Sequence, residues 1–366
     1  MLVYILTGLV VFLSLRNYEK LEVNSLNKKE KCLKIFYKYF AIIVCTIIFG
    51  LRDYSVGTDT KAYYQMFNWF GTDFVKRKLF VYETGFSFFN ILINKIFGNF
   101  TIFLIIMGFI LYHNIISSVC KLSEKPSISM LCFFGLGSFA QSCNILRQYL
   151  AMSFCLVALV YLVKKNKIIP FIFFVFVGFL FHKSAIIFLI ILPLKYLRFE
   201  LKTIIFFMVA SVAVIIGLPF LLKLFDAILG STYSLYTRLS SNPFSIINIG
   251  VIAVMGVVLI CIISQRMIVK KNTGNAKDYN FYANMFLMYL SFVIVSIFSI
   301  ELVDRMAIYF LPSIFFIIPI ILKSYKRYLS TFLINVLFVG FLCLTFLLFV
   351  VRGSYQILPY TFVDFM

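Results

Sequence analysis

The chain has 366 residues, of which 62% are hydrophobic and only 13% charged, with 46 Phe, 22 Tyr and a mean hydropathy of +1.01. A water-soluble domain carries roughly 25% charged residues, and here apolar runs of membrane-spanning length recur from end to end, which excludes a soluble globular fold. The net charge of +20 sorts by loop into a topological pattern, so it does not imply a nucleic-acid partner.

The first apolar stretch, 2–15, has no basic segment before it and Arg16 after it, which reads as a span and not a cleaved signal peptide. The loop 16–34 is rich in lysine and goes to the cytoplasm by the positive-inside bias. A span over 36–51 then delivers the chain to the external face at Arg52. The segment 52–98 is the longest polar interruption and opens on R-D-Y-S-V-G-T-D-T (52–60). Gly57 is needed for its turn. Thr58 is placed to cap a short amphipathic helix with Tyr63, Phe67 and Phe70 on one face. The stretch 86–97 alternates apolar residues with Asn90, Asn94 and Lys95, as an interfacial or re-entrant helix would.

Further spans are expected over 99–119, 127–141, 145–163, 168–181, 184–197, 203–221, 246–264, 281–300, 306–322 and 330–350, about twelve in all. Alternation puts the basic loops around Lys121, Lys164, Lys195, Arg266 and Lys323 inside, an external loop at 223–245, and both termini outside. The predicted fold is therefore all-α, a polytopic membrane protein with one transmembrane domain over 1–366. The eight cysteines are scattered, without C-x-x-C or metal-ligand spacing, and read as core filler.

Under this topology the outer ends of the spans collect Arg52, Asp53, Asp59, Glu83, Arg147, His182, Lys183, Arg238, Glu301, Asp304, Arg305 and Arg352, while the inner loops take mostly lysine. Lysine serves as a topology charge; the fixed fork of arginine suits bidentate binding of phosphate or carboxylate. Arg147 and Gln148 follow Asn144, read as an N-cap, so that a helix N-terminus and an arginine make an anion seat. The bland alternative is an interfacial, snorkelling arginine. His182-Lys183-Ser184 repeats the pattern at another external helix start. Arg305 and Tyr309 lie one helical turn apart and share a face; a boundary ion pair with an aromatic-belt tyrosine explains them equally. His113 is read as structural, and the basic run 76–78 as solvated or facing headgroups.

The order G-L-R-D-Y-S-V-G-T-D-T-x-x-Y-x-x-x-F, Y-E-T-G-F, L-R-Q-Y-L-A, F-H-K-S-A-I-I, D-R-M-A-I-Y and a C-terminal L-P-Y resembles the EpsG family of Wzy-like bacterial polysaccharide polymerases. The resemblance spans nearly the whole chain. It implies a GT-C-like membrane glycosyltransferase architecture in the bacterial cytoplasmic membrane. The implied reaction transfers a growing undecaprenyl-pyrophosphate-linked glycan onto a lipid-linked repeat unit at the outer face, for O-antigen, capsule or exopolysaccharide. On that footing Arg52, Arg147 and Arg305 form a pyrophosphate clamp, with Gly57, Thr58, Gln148, Lys183 and Tyr309 beside it. His182, Asp59 or Glu83 handles the acceptor proton, and Tyr63, Tyr64 and Trp69 stack on sugars. Neither a D-x-D signature nor a nucleotide loop occurs, so no metal or cofactor is expected. The expected partners are the lipid-linked donor and acceptor, membrane lipids and a chain-length regulator. Two rivals belong to other classes, a flippase for lipid-linked sugars and an acyltransferase, while a polysaccharide ligase shares the polymerase chemistry and differs in its acceptor.

Overall fold

The computed structural model describes residues 1–21, 27–70, 83–229, 246–273, 276–298, 301–324, 340, 342–343, 345–347 and 356–363. The run 76–78, the loop 230–245 with Arg238, most of the span 330–350, and Arg352 lie outside the described residues. Among the described residues the chain is helical apart from turns and one isolated bridge. Among the described residues, five helices are long and apolar enough to cross a membrane, and six shorter apolar helices accompany them. Contacts divide the chain into two compact units, one formed by Met1–Ile186 with Val336–Met366, the other by Ile187–Asn335.

The first unit begins with α1 (Leu2–Lys20) and α2 (Lys28–Gly50). A capping box starts α2: Asn27 Oδ1 accepts from the Glu30 N–H, and Glu30 Oε2 accepts from the Asn27 N–H, both at 2.9 Å. Leu2, Ile5, Leu6, Leu9 and Leu13 of α1, like Ile35, Phe36, Ile43 and Ile47 of α2, are exposed. That apolar surface is costly in water and at home in lipid. Then come the amphipathic α3 (Thr60–Phe70), α4 (Thr84–Phe97) and α5 (Phe100–Leu122).

The expected span 127–141 is broken. It forms α6 (Pro126–Gly135) and α7 (Ser138–Ser142), separated at Gly137, whose φ of 73° interrupts the α-helix. The centre of the unit is α8 (Leu146–Val163), with 72% of its apolar window buried against 28% for α2. It packs on α5 and on α9 (Ile168–Phe181), while α1 packs on α2 and α6. At the end of the bundle that carries the basic first loop, Glu19 accepts from the Ser127 hydroxyl at 2.9 Å and from its N–H, capping α6 from another helix.

After α9 the predicted span 184–197 is a 3-10 helix, Lys183–Ile190, followed by one turn of α-helix, α10 (Ile191–Leu194), which Pro193 does not extend. In the second unit α11 (Leu201–Leu229) and α12 (Ile246–Thr273) flank α13 (Ala276–Phe298), whose Tyr282, Phe286 and Leu287 are buried. Asn284 on α13 donates to the Leu197 carbonyl at 2.8 Å. The predicted span 306–322 is also broken. Helix α14 (Glu301–Ala307) ends before a turn over 308–311, and α15 (Pro312–Ser324) starts afresh. Pro312 disfavours helical backbone at Leu311, which accounts for the break.

Candidate functional site

The polar residues of the first unit gather at one end of its bundle, where α2 and α9 end and where α3, α4 and α8 begin. Past Gly50 the chain turns through 51–59. This loop is held by the C-terminal segment 356–363: Arg52 pairs with Phe362 in an antiparallel bridge, Asp53 N–H donates to the Thr361 carbonyl at 2.9 Å, and Gly57 N–H to Gln356 at 3.1 Å. Tyr4 donates to the Ile357 carbonyl at 3.0 Å, and Tyr360 donates to that of Ile48, which ties the strap to α1 and α2. The sequence reading noted L-P-Y only as a mark of resemblance and missed this pairing, since nothing local pairs residues some 300 positions apart.

Asp53 Oδ1 accepts from the Ser55 N–H at 2.9 Å, closing the first turn of the loop. Gly57 has φ +97°, and a Cβ there would lie 2.9 Å from Asn144 Oδ1 and 3.0 Å from Thr60 Oγ1. Both conformation and space therefore require glycine. Thr58 does not cap α3. The helix starts at Thr60, so Asp59 takes the preceding position, and the Thr58 hydroxyl lies 3.3 Å from Asn144 Oδ1 and from Asp59 Oδ1. Asn144, expected to cap α8, makes no such bond; that cap position is Ile145. Its Oδ1 instead accepts from the Asp59 N–H at 2.8 Å, across 85 residues of chain.

Along α3, Tyr63, Met66, Phe67 and Phe70 are buried, as helical spacing predicts. Tyr63 is buried and packs edge-on against Phe86. The outward aromatic residues are Tyr54 and Tyr64, stacked at 5.5 Å, and Trp69, 62% exposed.

Glu83 precedes α4 without capping it through its side chain. Its Oε2 accepts from Arg147 Nη1 at 2.6 Å, and its Oε1 lies 3.4 Å from the Lys183 N–H. The pair is mostly enclosed, the side chains being 22% (Arg147) and 11% (Glu83) exposed. A Cβ on Gly85 would meet the Leu180 carbonyl at 2.8 Å, so α4 and α9 approach at backbone distance. That approach carries Glu83 to the residues just after α9. Arg147 also lies over the Phe86 ring at 5.6 Å. Gln148 is buried beside it, and His182 Nδ1 is 2.6 Å from Ser184 Oγ.

Arg52 points inward. It is 1% exposed, lies over the Phe49 ring at 4.2 Å and donates from Nη1 to the Phe49 carbonyl, while Nε and Nη2 have no hydrogen-bond partner. Burial pushes the neighbouring Cys143 thiol up to about 11, and the Arg52 charge pulls it part of the way back. Arg305 and Tyr309 belong to the second unit. They do not share a helical face: α14 ends at Ala307, Tyr309 is fully buried in the following turn, and Asp304 is exposed. Thus Gly57, Thr58, Asp59, Tyr63, Glu83, Arg147 and Lys183 are linked by direct contacts.

The site thus holds a carboxylate against a guanidinium at the start of α8, with the Asp59 loop joined to the turn before that helix. No curated protein and no solved structure shows significant similarity to the chain. The EpsG family model matches residues 35–362, most of the chain, so the protein belongs to the EpsG family, which is related to Wzy-like polysaccharide polymerases.

Proposed function

We propose that the protein is a surface-polysaccharide polymerase, a GT-C-like glycosyltransferase forming one membrane domain over 1–366 in the bacterial cytoplasmic membrane, with both termini external. Its donor is a growing glycan on undecaprenyl pyrophosphate and its acceptor a lipid-linked repeat unit, with a chain-length regulator as a further partner. Family membership supports the class of pathway. The observation that carries the chemistry is the Arg147–Glu83 pair at the N-terminus of α8.

The acceptor hydroxyl attacks the anomeric carbon as the bond from that carbon to the pyrophosphate oxygen breaks. The leaving group gains negative charge, which Arg147 and the positive end of the α8 dipole stabilise. Pyrophosphate takes the place of the Glu83 carboxylate on Arg147, and the freed carboxylate accepts the hydroxyl proton. Asp59 and His182 border this path; Lys183, Gln148 and Thr58 contact the donor's polar groups. Tyr54, Tyr64 and Trp69 offer ring faces to sugars. Arg52, buried over Phe49, supports the loop that carries Asp59, and Arg305 and Tyr309 remain proposed contacts to pyrophosphate and sugar.

Arg147→Lys tests this. With the fold intact, lysine keeps the charge and loses the bidentate fork. Polymer formation should fall strongly at unchanged protein level; full polymerisation would sink the clamp. A second reading, a transporter of lipid-linked sugars, draws on the two broken helices, α6/α7 and α14/α15. Against it, the charged residues of the first unit's site cluster at the bundle end.

A further inference from the structure

We infer that Asn144 is a positioning residue that holds the Asp59 loop in register with Arg147, an inference that rests on the polymerase reading above. Three observations meet at this side chain. It is 1% exposed and immobilised at the turn before α8, where its own N–H donates to the Gln141 carbonyl at 3.0 Å and its carbonyl accepts from Leu146 at 3.0 Å. Its Oδ1 takes the Asp59 N–H at 2.8 Å and lies within 3.3 Å of the Thr58 hydroxyl. Gly57 leaves room for that oxygen where any Cβ would collide with it.

Asn144 stands three residues before Arg147, on the same chain turn. The bond to Asp59 therefore joins the acidic loop to the arginine through a short, stiff path. Thr60 adds a second tie, its hydroxyl donating to Val56 at 2.7 Å and lying 3.4 Å from the Cys143 carbonyl. The Asn144 side chain acts only as an acceptor here: Nδ2 is buried and has no hydrogen-bond partner among the described residues. The side chain is buried and bonded to the Asp59 backbone, so its effect on transfer runs through Asp59.

That asymmetry makes the test specific. Asn144→Ala removes the acceptor, while Asn144→Asp keeps an oxygen in the same place and exchanges the amide nitrogen for a second, carboxylate oxygen. In detergent-purified protein with a lipid-linked repeat unit, Asn144→Ala should lower kcat on the order of 100-fold, as expected for about 1 Å of misplacement. The donor KM should stay within about threefold, because Arg147 is untouched. Asn144→Asp should recover most of kcat. Hydrogen exchange gives a readout independent of turnover: the Asp59 amide, protected in the wild type, should exchange faster in Asn144→Ala and regain protection in Asn144→Asp.

Wild-type kcat in folded Asn144→Ala, or a donor KM that rises as far as kcat falls, overturns the inference. A folded Asn144→Asp that recovers neither kcat nor protection also overturns it. If the buried carboxylate of Asn144→Asp lowers the melting temperature, unchanged Asp59 exchange in Asn144→Ala still refutes the tether. A wild type that binds donor without transferring it refutes the polymerase reading instead, and the exchange experiment continues to judge the tether alone.

Discussion

Replacing Glu83 with glutamine removes the competitor for Arg147 without changing shape. In the resting protein the two groups are 2.6 Å apart and 22% and 11% exposed, too enclosed for the value of a surface pair, about 0–1 kcal/mol. A hydrogen bond to a charged group contributes about 1.5–3 kcal/mol, and an arriving anion must displace that contact before it can occupy Arg147. Glu83→Gln should therefore bind inorganic pyrophosphate about 10- to 100-fold more tightly, at 1.4 kcal/mol per factor of ten. The same change deletes the proposed base, so polymerisation should fall by about 10²–10⁴-fold. Titration calorimetry on detergent-purified protein measures the first effect, and product formation from the lipid-linked repeat unit measures the second. A purely structural ion pair gives the opposite sign, because the orphaned arginine would let the site loosen. Unchanged or weaker pyrophosphate binding in a Glu83→Gln protein of normal melting temperature would refute the exchange.

Gly57→Ala combines a left-handed backbone with a 2.9 Å collision against Asn144 Oδ1, so it should lose about 1–3 kcal/mol, seen as a lower melting temperature, along with polymer formation. Deleting residues 356–366 strips partners from the backbone of Leu51, Asp53 and Gly57; limited proteolysis should then cut within 51–59, and an uncut loop would argue against the strap. Cysteine labelling tests both topology and burial. Cys32 is exposed at the start of α2, so an impermeant maleimide should reach it only after the cytoplasmic side is opened. Cys143 is buried with its thiol pushed up to about 11, so at pH 8 about one molecule in a thousand is thiolate. It should stay unlabelled on either side until the protein unfolds, and ready labelling at pH 8 would contradict its placement.

Much of the fold was legible because hydropathy and helical periodicity are local signals. The bounds of α5, α8 and α9 fall within three residues of the predicted spans, whereas α1 runs on to Lys20 and α2 starts at Lys28, both continuing through charged residues that hydropathy alone assigns to the loop; the buried face of α3 is the one that Tyr63, Phe67 and Phe70 define. The failures are places where tertiary contact overrode a local rule. Asn144 was read as the cap of the helix it precedes, yet its oxygen serves Asp59 on another element. Thr58, a good cap by type, gives its hydroxyl to that same cluster. Arg305 and Tyr309 looked like one face because the pattern is helical, whereas α14 ends at Ala307 and Tyr309 lies in the turn that precedes Pro312. The burial of Arg52 over the Phe49 ring is likewise a tertiary placement that its sequence context does not show. The Glu83–Arg147 pair joins two residues the sequence had already singled out, but their meeting depends on Gly85 packing against Leu180, which no local pattern encodes.

The most direct test is to reconstitute the purified protein in vesicles with its native undecaprenyl-pyrophosphate-linked repeat unit as sole substrate, and to read the products by mass. A polymerase that uses lipid pyrophosphate as its leaving group yields a ladder spaced by one repeat unit and releases one undecaprenyl pyrophosphate per step. Folded protein that leaves the substrate at its original length, or moves it across the bilayer without lengthening it, would contradict the account.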